Sequence, residues 1–526
     1  MKMNEAMTTG GQARRDSVIS RHDVPEIVEH DLLIIGAGIS GVNMAYRFQE
    51  RFPHMSYRVL EARQDIGGTW DLMRYPGIRS DSDLYTFGFE WRPWPERIPI
   101  AGGDKILKYM KDSAAEFGID KKICLGSTVL EAKWSSKRQA WTLAVQQART
   151  GSAQELRYYR AKFLVYASGF YDYQKPMPAV IPGLKENFMG QVYHPQFWPQ
   201  NANYTGKKVA VIGSGATAIT LIPALARLAA KVVMVQRSPT YIMSMNNSVA
   251  YQWWERFLPI ALQQRIRRLM FVLMSAIMTR IPASWMRPFL KRNTQRALPK
   301  HIPYDPHFKP TYAPFSQRVC LCPDGDFFEA LREGKADVAT GEIKTVTEDS
   351  IILKSGQRIE ADVIITATGL NLMFGGKVAM YVDGRLMKWN EKYMWRGAGM
   401  QDFPNCAIVR GYTKASWTLG ADVTAYLVCR LISHMEKEGL SSATPKVAQK
   451  EVILPTKQPG IGGLTSTYIM RGKDALPRES DRTPWNGRED YLKELWHAKY
   501  GNITQGVHFT PSGDYGIYGN IMFLSR

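Results

Sequence analysis

Four short apolar runs punctuate the chain, and each ends at a glycine. Residues 31–35 (Asp-Leu-Leu-Ile-Ile) enter Gly36 and residues 208–212 (Lys-Val-Ala-Val-Ile) enter Gly213; residues 163–168 (Phe-Leu-Val-Tyr-Ala-Ser) stop at Gly169 and residues 362–368 (Asp-Val-Ile-Ile-Thr-Ala-Thr) at Gly369. Runs with no polar alternation belong to parallel strands covered on both faces. The first and third lead into helical stretches, to about residues 51 and 229, and then into further strands at 56–61 and 231–235. The second and fourth close short meanders, 140–147 with 156–160 and 351–354 with 357–360. One layout therefore occurs twice, which predicts an α/β chain with two nucleotide-binding, Rossmann-like units. Residues 244–315 interrupt the second unit; rich in Trp, Met, Arg and Pro at helical spacing, they read as a helical insertion.

The turns after the first and third strands carry the chemistry. Gly36-Ala-Gly38-Ile-Ser-Gly41 is G-x-G-x-x-G, and Gly213-Ser-Gly215-Ala-Thr-Ala218 is its G-x-G-x-x-A variant. The first glycine allows the tight turn and the second lets a pyrophosphate reach backbone N–H groups. The third position, Gly or Ala, lets the helix pack closely on the strand. The strand ends then diverge. Glu61 closes the first unit, and an acid there accepts ribose hydroxyls and repels a 2′-phosphate, so FAD or NAD fits. The second ends in Gln236-Arg237-Ser238, whose guanidinium suits the 2′-phosphate of NADPH. Gly67-Gly68-Thr69-Trp70 and residues 74–81 add paired glycines for close backbone approach, a flat indole, and the charged pair Arg79 and Asp81.

Charge and cysteines narrow the class. The formal net charge is +20, and basic residues crowd 256–300, including Arg265, Arg267, Arg268, Arg280, Arg287, Lys291, Arg292 and Arg296. With no nucleic-acid-binding motif beside them, they read as the solvated face of amphipathic helices, with peripheral contact to an anionic membrane as the alternative. No nucleic-acid partner is expected. The five cysteines are scattered, with no C-x-x-C and no zinc spacing, which points to reduced thiols in the cytoplasm and excludes dithiol redox chemistry. Residues 1–30 lack the apolar core of a signal peptide, and the longest apolar run, 269–278, is too short to span a bilayer.

Between the glycine signatures stands Phe188-Met-Gly190-Gln-Val-Tyr-His194-Pro-Gln-Phe-Trp198-Pro199, which fits F-x-G-x-x-x-H-x-x-x-W-P without a gap. It resembles the fingerprint of type I Baeyer–Villiger monooxygenases. Residues 67–83 resemble the branch that includes the ethionamide-activating and long-chain alkane-degrading enzymes, and residues 411–418 resemble that family's later flavin-side segment; the likeness covers about 31–491. It implies an FAD-containing, NADPH-dependent enzyme that inserts one oxygen atom from O2 beside the carbonyl of an apolar ketone or aldehyde through a C4a-peroxyflavin, giving an ester or lactone, and that also oxidises thioethers. The alternative is an N- or S-oxidising flavin monooxygenase, which closes the fingerprint differently.

The resemblance also implies a site. Arg318 would sit over the flavin, where a fixed cation about 4 Å from an oxyanion, at effective dielectric near 20, contributes about 4 kcal/mol. Asp81 would orient it; the competing readings are an Arg79–Asp81 surface pair and a structural Arg318. FAD contacts are expected from Gly36, Gly38, Ser40, Gly41, Glu61, Gly68, Thr69, Trp70, Arg79, Asp81 and Tyr85, and NADPH contacts from Gly213, Ser214, Gly215, Ala216, Thr217, Ala218, Arg237, Ser238 and Gln317. Relatives often carry Lys where Gln317 stands, which narrows the expected preference for NADPH over NADH. Phe188, Gly190, His194, Trp198 and Pro199 would form a positioning linker, His194 included. The expected segments are an N-terminal extension (1–29), an FAD domain in two parts (30–172 and 370–526), an NADP domain in two parts (173–244 and 316–369) and the helical insertion (245–315).

Overall fold

The computed structural model describes residues 26–148, 154–317, 319–448 and 467–513. Most of the expected N-terminal extension, together with Arg318, lies outside the described residues. Strand β1 (Ile27–Ile35) begins inside the segment expected as that extension. It passes through α1 (Ile39–Arg51) to β2 (Tyr57–Leu60), and β3 (Ser127–Ser135), β4 (Ala140–Ala148) and β5 (Gln154–Tyr166) follow as an antiparallel meander. β5 returns parallel to β1 on the side away from β2, so Ile35 aligns with both Leu60 and Tyr166. Leu32, Leu33 and Ile34 have no exposed surface, as a central parallel strand requires.

Two strands were expected where β5 is one. Residues 154–161 pair with β4 and residues 158–166 with β1, the two pairings overlapping in the middle. The polar positions between them are used at the surface, where Arg160 pairs with Glu29 at 2.5 Å and Lys162 with Asp31 at 2.9 Å. The chain comes back to this sheet late: Ala379–Val382 lies parallel to β3, and Cys406–Ile408 lies parallel to β5.

The main sheet of the second unit is all-parallel. Strands β6 (Gln191–Tyr193), β7 (Lys208–Ile212), β8 (Lys231–Gln236), β9 (Ala336–Thr340) and β10 (Val363–Thr366) lie in the order β9-β8-β7-β10-β6, with α2 (Ala216–Ala226) joining β7 to β8. Ile212 aligns with Val235 and Thr366, reproducing the level at which Ile35, Leu60 and Tyr166 meet. Between β8 and β9 the insertion forms α3 (Ile260–Met278) and α4 (Ala283–Ala297), bent 111° to each other.

The long helix α5 (Trp417–Glu438) packs on α1 and buries Asp422 between Arg47 of α1, at 3.4 Å, and Arg268 of α3, at 3.3 Å. Arg268 also donates to the carbonyls of Tyr85 and Gly88, both at 2.8 Å, and Arg267 pairs with buried Glu255 at 3.1 Å. This corrects the expectation of a solvated basic face at Arg267 and Arg268, while Arg265, Arg280, Arg287, Lys291, Arg292 and Arg296 are exposed as expected. The two buried arginines point into the body of the protein, because a buried carboxylate without a cation is costly.

Candidate active site

Two strand ends build two matching cradles. The Gly36 N–H donates to the Leu60 carbonyl at 2.8 Å, and the Gly213 N–H to the Val235 carbonyl at 2.9 Å. Both glycines have positive φ, +104° and +134°, and a Cβ would lie 2.7 Å from the Ala167 carbonyl oxygen in the first and 2.3 Å from that of Ala367 in the second. Glycine is therefore required where each returning strand crosses the turn. At Gly41 a Cβ would lie 1.8 Å from the Gly36 carbonyl oxygen, whereas α2 stands off enough to bury Ala218 at the equivalent position. Gly41 and Ala218 thus set helix approach and do not reach the open space. Nothing lies within 4 Å of a Cβ at Gly215, and only the Cα of Gly68 does at Gly38. The first N–H groups of α1 and α2 face that space, as an incoming pyrophosphate needs.

Both cradles open onto one cavity of about 1100 Å³. Gly36, Gly38, Ser40, Glu61, Gly68, Thr69, Trp70, Arg79 and Asp81 line it from the first unit, and Gly213, Ser214, Gly215, Ala216, Thr217, Arg237, Ser238 and Gln317 from the second. Glu61 is 6% exposed and accepts from the N–H groups of Ala37 at 2.6 Å and Arg63 at 2.8 Å. Burial pushes its carboxyl up, against those two donors. At the matching point of the second unit Gln236 turns inward, donating to the His307 carbonyl at 2.7 Å and the Thr340 hydroxyl at 2.9 Å. That leaves Arg237 and Ser238 exposed at the rim, with the Ser214 hydroxyl donating to the Ser238 carbonyl at 2.9 Å. One strand end presents an acceptor and the other a cation.

The loop 74–81 joins the units. Gly77, with φ +75°, rests on α2, where a Cβ would be 2.8 Å from both the Thr220 carbonyl oxygen and the Ala224 side chain. Arg79 forks onto Asp326, at the start of helix Asp326–Arg332, with Nη2 to Oδ1 at 3.2 Å. The expected alternative of an Arg79–Asp81 pair gives way to this bridge between units. The same carboxylate receives the Cys322 thiol at 3.3 Å, and burial with that neighbour pushes the thiol up to about 12. Asp81 stays exposed on the cavity wall, near the Ser82 hydroxyl at 3.4 Å. Its expected partner, Arg318, lies outside the described residues; Gln317, its neighbour in sequence, lines the same wall.

Tyr85 departs from expectation. It is 3% exposed, its hydroxyl donates to the Glu96 carbonyl at 3.0 Å, and its ring packs 4.8 Å from that of Phe271 on α3. It anchors the insertion and is not part of the cavity wall. Three other residues join the site. The Tyr173 hydroxyl meets the Thr69 hydroxyl at 2.6 Å and is pushed up to about 12 by burial. Trp417 donates to the Ser40 hydroxyl at 2.8 Å and stacks on Phe170 at 4.9 Å. Gln196, 1% exposed, donates to the Asp172 carbonyl at 2.7 Å. Trp417 falls in the segment singled out by resemblance; Tyr173 and Gln196 carry no local signal, because their partners are distant in the chain.

None of the five fingerprint residues lines the cavity. Residues 191–193 add the edge strand β6 to the second sheet. At Gly190 a Cβ would lie 2.4 Å from the Asp362 carbonyl oxygen and 2.5 Å from the Phe188 ring, so this glycine lets the strand dock. Trp198 packs on Tyr193 and Tyr204, and the Pro199 carbonyl closes a turn onto the Ala202 N–H at 3.2 Å. His194 Nδ1 accepts the Gln196 N–H at 3.1 Å, and burial lowers its pKa, so it is a neutral cap. The fingerprint holds Gln196 against the crossover at residue 172, which ties the second sheet to the first unit.

A family model described as flavin-binding monooxygenase-like matches residues 29–392. The chain is 42% identical over 492 residues to the FAD-containing monooxygenase EthA of Mycobacterium tuberculosis strain H37Rv, covering 92% of this chain and 98% of that one. It is 38% identical over 490 residues to the probable FAD-binding monooxygenase AlmA of Acinetobacter baylyi, covering 92% and 97%. Among solved structures, a steroid monooxygenase bound to NADP superposes with a TM-score of 0.71 at 20% identity, covering 92% of this chain and all of that one. The enzyme OTEMO complexed with FAD and NADP gives 0.68 at 19% identity, with the same coverage. At that identity the structural likeness speaks for the fold, two nucleotide-binding units.

Proposed function

This chain belongs to the flavin-binding monooxygenase-like family, and from that premise we propose that it is a Baeyer–Villiger enzyme that binds FAD in the first cradle and NADPH in the second. The net reaction takes an apolar ketone or aldehyde, O2, NADPH and a proton to an ester or lactone, NADP⁺ and water; thioether oxidation is a side activity of the same site. The observation that carries the reading is the single cavity onto which both cradles open. A shared space lets a nicotinamide meet an isoalloxazine, which a nucleotide-binding regulator has no need to arrange.

The residues present fit both groups. Glycines stand wherever a side chain would fill the path of a pyrophosphate, Glu61 is held as an acceptor for ribose hydroxyls, and Arg237 with Ser238 supplies charge-assisted donors for a 2′-phosphate. Bound FAD supplies two-electron acceptance from NADPH and activation of dioxygen. Within the wall, Trp70 and Tyr173 exclude water, and Thr69 is fixed by the Tyr173 hydroxyl. We assign Arg318 the cation that stabilises negative charge as the carbonyl is attacked, and Asp81 the carboxylate that orients it. The Trp198-Pro199 ending of the fingerprint supports oxygen insertion next to a carbonyl over amine oxidation, and the absence of C-x-x-C leaves no dithiol route.

Product analysis tests the proposal. With FAD and NADPH, a panel of linear and cyclic ketones should give esters and lactones heavier by one oxygen. Amines turning over to hydroxylamines while no ketone gives ester would overturn it. Arg318→Ala should keep reduction of the flavin by NADPH near the parent rate and lower ester formation by on the order of a hundredfold or more, the scale of losing one preorganised charge contact. Undiminished ester yield would remove Arg318 from its role.

A further inference from the structure

On most helices of a folded protein, apolar residues face the core. Helix α3 buries Val272 and packs Phe271 on Tyr85, yet it leaves most of its large apolar residues outside. Its buried face carries Arg267 and Arg268, locked onto Glu255, Asp422 and the carbonyls of Tyr85 and Gly88. Its exposed face carries Leu262, Leu269, Leu273 and Ile277, spaced seven, four and four residues apart, one continuous stripe. Trp253 before the helix and Trp285 on α4 extend the apolar surface and are 71% and 74% exposed. Because both arginines are fixed by buried partners, the stripe is held outward and cannot roll inward to be covered.

The charge carried by this stretch of chain has one sign. Between residues 256 and 304 there are ten Lys or Arg and no Asp or Glu. Eight of the ten are exposed, the other two being the buried anchors. Among the described residues no single helix is long and apolar enough to cross a membrane, and the bent α3–α4 pair turns back on itself. An outward apolar stripe, tryptophans beside it and exposed cations, of which Arg280 pairs with Asp490, are the complement of a lipid interface in which acyl chains lie beneath anionic phosphates. A second copy of the chain is the poorer occupant, because two such surfaces would bring their cations together.

We propose that the α3–α4 hairpin docks this protein flat on an anionic phospholipid surface, with the leucine stripe and the two tryptophans in the headgroup–acyl boundary. FAD-loaded protein should co-sediment with vesicles of equal parts phosphatidylglycerol and phosphatidylcholine, bind pure phosphatidylcholine more weakly, and be released from the mixed vesicles by salt. Leu273→Glu with Ile277→Glu should cut partitioning by tenfold or more while melting temperature and bound flavin stay at parent values. Arg287→Gln with Lys291→Gln and Arg292→Gln should weaken binding to the mixed vesicles by on the order of tenfold or more and leave phosphatidylcholine binding unchanged. This second variant decides the matter if the first loses flavin. Parent protein left in the supernatant, or either folded variant binding as the parent does, overturns the proposal. A parent dimer by light scattering that becomes monomeric in the glutamate variant, with no vesicle binding by either, would instead make the face a contact between copies.

Discussion

Gln236 and Arg237 divide between them a place that Glu61 fills alone at the first strand end. Gln236 is consumed by internal hydrogen bonds, and the next residue becomes the one that lines the cavity. The sequence made Arg237 readable because a cation replaced an acid at a fixed distance from a glycine turn. Losing a charge-assisted contact costs about 1.5–3 kcal/mol, so Arg237→Ala should raise KM for NADPH by about 10- to 100-fold and barely move KM for NADH. Equal effects on both would remove the 2′-phosphate assignment.

His194 illustrates the opposite case. Its type invites an acid–base reading, yet it caps a turn with one nitrogen while burial holds it below its ordinary 6.5. The unfolded chain therefore takes up a proton first as pH falls. His194 adds no pH dependence above about 6.5, and stability is lost as pH drops from there toward the folded value. His30 and His307 are lowered in the same direction. His194→Asn keeps an acceptor for the Gln196 N–H and removes one titrating group. Between about pH 7.5 and about pH 5.5 the melting temperature of this variant should fall less than that of the parent; identical slopes would show that His194 is not held neutral.

Elements were readable where burial is two-sided. β1 and β7 end in buried apolar runs, residues 32–35 and 209–212, because sheet and helix cover both faces there, and the glycine after each is fixed by a carbonyl crossing the turn. β5 read as two strands because its ends pair with different neighbours. On α3 only Arg267 and Arg268 depart from the expected solvated face: periodicity reports that a helix has two faces, and a partner such as Asp422 decides which residues turn inward. Likewise Arg79 looked like a neighbour of Asp81 and instead reaches Asp326, some 250 positions on by number. Gly77 offers a test of the contact it makes. Gly77→Ala adds the strain of positive φ and a clash with α2, and should cost about 1–3 kcal/mol. Gly206→Ala, at φ +67° with nothing within 4 Å, carries the strain alone. Thermal melts should place Gly77→Ala clearly below Gly206→Ala, and equal melting temperatures would deny the loop–α2 contact its role.

For the molecule as a whole, the repeated layout, the two cradles and the identity of their strand-end residues could be read from residue order. The meeting of both cradles in one cavity could not, because it depends on the crossovers at Gly169 and Gly369, the Arg79–Asp326 bridge and the grip of Gln196 on residue 172. These contacts join positions far apart in the chain, and no local pattern encodes them. The fingerprint earns its specificity here, as the segment that holds one unit against the other while touching neither ligand site.

The central claim is that the shared cavity couples NADPH oxidation to oxygen insertion. The most direct measurement is turnover of an apolar ketone by FAD-loaded protein under ¹⁸O2, with NADPH consumed and labelled ester both quantified. One ¹⁸O atom is expected in the ester for each NADPH oxidised in the coupled fraction. NADPH consumption that yields hydrogen peroxide and no labelled ester from any ketone, or a protein that retains no FAD, would contradict it.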